Sequence, residues 1–297
     1  MKRSTLVILL LMNVIWAGTY PATKALMAHA PYYLVTSLRY IIAALPLLLI
    51  AQVKYGLKMS AGDFGRAVVI GVASFTLSPI ALYQGVTFSR AADAAVLVSI
   101  EPLLIAVGAY IFLREHIARR TALALLAAFG GVLLLSEFWR AHSVVRPLGT
   151  ALILLAIFFE TTYSLVGKSL LKRVPPLKIT AVAITSASVI NVVALSALGY
   201  WPAAGRLTHV DWLVLVGFLA LLCSAFGYTL WYVALAQDLA ANVAITVFVQ
   251  PVVGIPLAWA WVGETPTAPQ LLGALVILAA VAAALRPARR AATEPSA

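Results

Sequence analysis

Ten apolar blocks dominate the chain, at approximately 4–27, 33–52, 65–87, 93–113, 120–138, 148–168, 177–199, 210–234, 240–262 and 269–286. Each is close to the ~20 residues a helix needs to cross a hydrocarbon core. Within the blocks the apolar residues follow neither one-sided helical spacing nor the alternation of a half-buried strand. Composition agrees, since 63% of residues are hydrophobic and 10% charged, against about 25% charged in an ordinary soluble domain. The expectation is an all-α polytopic membrane protein with ten transmembrane helices and a lipid bilayer as its solvent.

A second feature divides the blocks into two sets. Tyr83, Ala92, Ala95, Pro102 and Glu115 recur 149 positions later as Tyr232, Ala241, Ala244, Pro251 and Glu264. The span from Trp16 to Lys24 matches that from Glu160 to Lys168 at an offset of 144. Residues 1–140 and 141–286 therefore read as two five-helix repeats, with 287–297 as a disordered cytoplasmic tail. An odd number of crossings per repeat forces the second to enter the membrane inverted. Inverted repeats are a recurrent plan of secondary transporters, with substrate near the midplane between the halves. That plan predicts a midplane cavity used by alternating access.

With ten spans both ends lie on one side. The loops on that side carry 15 of the 21 Lys and Arg residues, the opposite loops 4, and Lys24 and Arg39 lie in or near the membrane. Excess Lys and Arg marks the cytoplasmic side, so both termini are expected there. Lys2 and Arg3 ahead of the first block resemble a signal peptide, but Trp16, Tyr20 and Pro21 within it fit a retained first helix. Thr265 is expected to cap the last helix, with Pro266 in its first turn.

The net charge of +11 falls at segment ends rather than in a basic stripe interleaved with aromatics, so no nucleic-acid partner is expected. Cys223 is the single cysteine, which excludes an intrachain disulfide and a thiolate metal cluster. His29, His116, His142 and His209 are scattered. Phosphate-loop, nucleophile-elbow and metal-ligand motifs are absent. No enzymatic activity, metal or cofactor is expected, and the loops are too short for a nucleotide-binding domain.

The elements Glu101-Pro102 to Glu115 and Gln250-Pro251 to Glu264, with the opening Trp16-Ala17-Gly18-Thr19-Tyr20-Pro21-Ala22-Thr23-Lys24, resemble the EamA-type repeat of the drug/metabolite transporter superfamily. The resemblance spans about residues 4 to 286 and is strongest to bacterial amino-acid exporters, aromatic amino-acid exporters among them. It implies export of neutral and aromatic amino acids across a bacterial inner membrane, by a monomer or homodimer. Cationic drugs or sugar-linked metabolites are the alternative cargo, and an intramembrane enzyme or sensor the alternative class. The second copy departs from the pattern, with Glu160 where the first helix has Trp16.

The intramembrane polar residues carry the candidate chemistry. Glu101 reads as a carboxylate for a proton or a substrate ammonium, or as a hydrogen-bond partner of helix 9 opposite Gln250. Glu160 shares a helical face with Tyr163, Ser164 and Gly167 and reads as an ammonium site or as a charge partner of Lys24 or Arg39. Arg39 reads as a carboxylate clamp or as a structural partner for Glu or backbone groups. Lys24 and Lys168 are expected to snorkel to the interface, with carboxylate binding as a second reading for Lys24. Trp16, Tyr20, Tyr83, Tyr163 and Tyr228 offer π faces and hydrogen-bonding tips for an amphiphilic substrate. Tyr20 and Tyr232, near segment ends, read equally as interfacial belt residues. Pro102 and Pro251 interrupt their helices as hinges or as plain kinks. The alanines around 91–95 and 240–244 read as packing surfaces.

Overall fold

A computed structural model describes residues 3–88, 91–137, 139, 147–207, 209–262 and 265–286, with side chains throughout except at 20, 91–93, 95, 206 and 257–262. All ten apolar blocks are helical. They are α1 (Arg3–Met27), α2 (Tyr32–Tyr55), α3 (Ala61–Thr87), α4 (Ala91–Val98 and Glu101–Phe112) and α5 (Arg119–Leu135). The second set is α6 (Pro147–Leu170), α7 (Pro176–Ala197), α8 (Val210–Leu235), α9 (Ala240–Ala244, Ile245–Phe248 and Val249–Val262) and α10 (Ala268–Leu285). The expected tail at 287–297 lies outside the described residues.

Each helix divides its side chains between lipid and bundle. On α2, Leu45, Leu49 and Val53 are exposed, while Tyr40, Ala43, Leu47 and Ala51 are buried. The exposed row would be a liability in water, whereas hydrocarbon solvates it. Without a hydrophobic drive between helices, close packing and interhelical hydrogen bonds hold such a bundle together. Ala240, Ala241 and Ala244 are buried, so these small residues do pack against neighbours.

The pairing of helices follows the repeat. Helix α2 packs on α7 and α5 on α10, each against its own counterpart. Helix α6 packs on α3 and α4 of the first repeat, while α1 packs on α8 and α9 of the second. The two opening helices are thus exchanged between repeats, and the largest buried cluster lies along these crossed pairs. The connections α2–α3, α4–α5, α6–α7 and α8–α9 lie on the side of the bundle that carries the start of α1 and the end of α10.

Two local expectations are corrected. Thr267, not Thr265, caps α10: its hydroxyl accepts from Gln270 N at 3.4 Å and its amide donates to Gln270 Oε1 at 3.1 Å. This reciprocal pair needs a Gln or Glu three residues after the cap, which Thr265 lacks. Pro269, not Pro266, then occupies the first turn. Nor does Pro102 kink a continuous helix. Helix α4 breaks at Ser99–Ile100 and restarts at Glu101, so Pro102 sits in a first turn, where its missing N–H has no helical acceptor to forgo. Helix α9 instead tightens to a 3-10 turn over Ile245–Phe248 and resumes at Val249 without a gap, two residues before Pro251.

Candidate functional site

The repeats also share an irregularity that hydropathy cannot reveal. Helix α3 widens to π geometry over Ala73–Leu77 and α8 over Phe218–Phe226. Shifted by 149, the first falls on residues 222–226, inside the second. π segments leave the regular backbone ladder and are frequent at functional sites. Phe75 in the first segment and Ser224 in the second are buried.

An aromatic cluster surrounds Phe75. Tyr228 lies at its centre, with ring centroids 4.7 Å from Phe75, 5.0 Å from Tyr163 and 5.3 Å from Trp16. Tyr40 adds an edge at 5.0 Å from Phe75, and Trp231 another at 5.6 Å from Trp16. Polar tips hold the rings in place. Trp16 Nε1 donates to the Cys223 carbonyl at 2.8 Å, Trp231 Nε1 to Ser164 Oγ at 3.0 Å, and the Tyr163 hydroxyl to the Tyr228 carbonyl. Gly227 makes the Trp16 position possible, because a Cβ there would meet the indole nitrogen at 2.6 Å.

Two opposite charges flank this cluster. Arg39 on α2 is buried; its Nε donates to Ser224 Oγ at 2.8 Å and its guanidinium lies 5.1 Å from the Tyr40 ring centre. Glu160 on α6 lies within reach of the Ser78 and Tyr228 side chains and in the field of Arg39. Among the described residues neither charge forms a direct ion pair, and Tyr228 interacts with both. Glu101, the first residue after the α4 break, interacts with Glu160 charge to charge.

The expected residues sort accordingly. Trp16, Glu101, Glu160, Tyr163 and Tyr228 come together. Tyr83 lies outside the cluster: it stacks on Tyr32, centroids 4.8 Å apart and planes 8° apart. Tyr20 is helical in backbone, and its side chain lies outside the described residues. Tyr232 is no belt residue. It is wholly buried, stacks on Tyr163 at 4.2 Å, and donates to the Tyr163 carbonyl at 2.9 Å. Gly167 admits it, since a Cβ there would lie 2.2 Å from the phenol oxygen. Glu101 does not mirror Gln250. Gln250 Nε2 donates to Asn13 Oδ1 at 3.0 Å, whereas Glu101 has no hydrogen bond among the described residues. Lys168 does not snorkel: its amine pairs with Glu115 at 2.8 Å. Tyr40, Phe75 and Trp231 carry no sequence signal of their own. Only the alignment of Phe75 with Ser224 at the 149 offset marks one of them.

Comparison with known proteins decides the family. The EamA-like transporter family matches residues 3–137 and again 147–286. The chain belongs to this family. A probable amino-acid metabolite efflux pump of Salmonella typhimurium is 26% identical over 288 residues, covering 94% of each chain. A probable terminal-alkyne amino-acid exporter of Streptantibioticus cattleyicolor is 24% identical, covering 95% of this chain and 93% of its own. An uncharacterized transporter of Archaeoglobus fulgidus is 24% identical over 84% of this chain and 87% of its own. A solved crystal structure superimposes with a TM-score of 0.81 at 16% identity, covering 98% of this chain and all of that one, which shows the shared fold. The EamA-family chain is a multi-pass membrane transporter, and the names of its relatives point to transport rather than catalysis.

Proposed function

We propose that this EamA-family transporter exports amino acids, neutral and aromatic, by alternating access around the cluster between its repeats. The observation that carries the reading is the pair Arg39 and Glu160, opposite charges that both interact with Tyr228 and form no direct ion pair among the described residues. Leaving a charge uncompensated away from water costs several kcal/mol, and an amino-acid zwitterion compensates both. In this reading Glu160 takes the ammonium, Arg39 the carboxylate, and Trp16, Tyr163 and Tyr228 the side chain. Glu101, within interaction distance of Glu160, exchanges a proton with the site, because two carboxylates sharing a site favour a proton between them. Residues 1–140 and 141–286 act as the two repeats, and the departures from α geometry before Pro102 and Pro251 act as their hinges. The relatives named as amino-acid exporters support the substrate class, and the Lys and Arg bias supports cytoplasmic termini in a bacterial inner membrane.

The test is efflux of labelled phenylalanine, threonine and methionine from liposomes, with and without a pH gradient. Gradient-stimulated efflux that Glu101→Gln uncouples is expected; amino-acid movement no faster than in protein-free liposomes would refute the reading. A cationic cargo would tolerate Arg39→Gln, which zwitterion export would not.

A further inference from the structure

The terminus-bearing end of the bundle is tied by ionised groups. Glu115, just beyond α4, places Oε1 2.8 Å from Lys168 Nζ near the end of α6, with the two side chains only 9% and 16% exposed. Its second oxygen accepts from Ala240 N, the first residue of α9, at 2.7 Å. Lys168 Nζ also donates to the Asp238 carbonyl in the α8–α9 connection. The Asp238 carboxylate in turn accepts from Leu239 N at 2.8 Å and from Asn242 Nδ2 at 2.7 Å. Burial raises the pKa of that carboxyl, but hydrogen bonds, that from Asn242 the largest, together with nearby positive charge hold it below the usual range. One ion pair thus joins α4 of the first repeat to α6 and α9 of the second. The chain accepts strain to place it: Arg114, immediately before Glu115, has φ 54°, a left-handed conformation that non-glycine residues rarely adopt.

Lys24 is the repeat counterpart of Lys168, at the other end of the bundle. It is exposed and forms no ion pair among the described residues. Inverted repeats change access by exchanging their conformations, so in the alternate state Lys168 acquires the environment that Lys24 has now. We propose that the Glu115–Lys168 pair is a state-specific latch, closing the terminus side in this conformation and parting when that side opens. The proposal rests on alternating access as read above, and it assigns the residues that set the balance between the two states.

Ser164, one helical turn before Lys168 on the same face and buried, reports the opening. Full-length Ser164→Cys, Cys223→Ala protein in oriented vesicles is treated from the terminus side with a membrane-impermeant maleimide. With the latch intact, labelling is slow. Glu115→Gln keeps an acceptor for Ala240 N but removes the charge, and is expected to speed labelling about tenfold, equivalent to about 1.4 kcal/mol. Lys168→Gln is expected to match it, Lys168→Arg to label as slowly as the parent, and the double neutralisation to be no faster than either single, because both remove one interaction. Labelling at the parent rate in both single variants, or single effects that multiply in the double, would overturn the latch. No substrate enters the measurement, so failure of amino-acid transport leaves its outcome intact.

Discussion

Where the first repeat has Trp16 and Glu101, the second has Glu160 and Gln250, while Tyr83 and Lys24 keep their type as Tyr232 and Lys168 in different surroundings. The backbone does not diverge in the same way. Both repeats widen to π geometry at matching positions in their third helices and depart from α geometry just ahead of the matching prolines in their fourth. The difference teaches that duplication preserved the devices for bending and left the side chains at those devices free to specialise. Glu160 gained a place beside the aromatic cluster that its counterpart Trp16 helps to form. Gln250 became a structural hydrogen-bond partner of Asn13, while Glu101 has none among the described residues.

The sharpest way to break this comparison is at the specialised charge. Glu160→Gln should lower phenylalanine efflux in liposomes about a hundredfold, in line with the 2–5 kcal/mol cost of truncating one partner of a buried charge pair; Gln250→Glu, at an uncharged position, should not compensate. Next in size is Gly167→Ala, which drives a methyl into Tyr232 and should cost about 1–3 kcal/mol of stability by overpacking, read as a lowered melting temperature in detergent. Thr23→Ala, at the equivalent place in α1, should leave it unchanged.

Two smaller effects separate structure from coupling. Gln250→Leu removes the bond to Asn13 and should cost about 1 kcal/mol while efflux keeps its response to a pH gradient. Glu101→Gln should reverse that pattern, with melting unchanged and the gradient response lost. Smallest of all, Tyr232→Phe loses its hydrogen bond to the Tyr163 carbonyl, again about 1 kcal/mol, whereas Tyr83→Phe should be silent in both melting and efflux.

The sequence made the spans legible because hydropathy is a property of composition along the chain: the block at 33–52 becomes Tyr32–Tyr55, and that at 177–199 becomes Pro176–Ala197. The repeat was legible for the same reason, as spacing. What was not legible depends on where helices turn relative to one another. Tyr83 and Tyr232, equivalent in the repeat and each preceded by a π segment, reach different surroundings, the first stacking on Tyr32 and the second on Tyr163. Lys168 looked like an interfacial lysine until the left-handed turn at Arg114 brought Glu115 within 2.8 Å of it. Phe75 and Tyr40 join the cluster through tertiary packing alone. Glu160 was visible in advance because a charge inside an apolar block is costly enough to need a reason.

The measurement that tests the central claim most directly is competitive efflux in liposomes with phenylalanine, its decarboxylated amine and its deaminated acid. Two-ended recognition by Arg39 and Glu160 predicts that the zwitterion is carried and that neither one-charge analogue competes well, with Arg39→Gln selectively restoring competition by the amine. Equal competition by all three compounds in the parent protein would contradict it, leaving the aromatic cluster as a site that reads hydrophobic shape without charge.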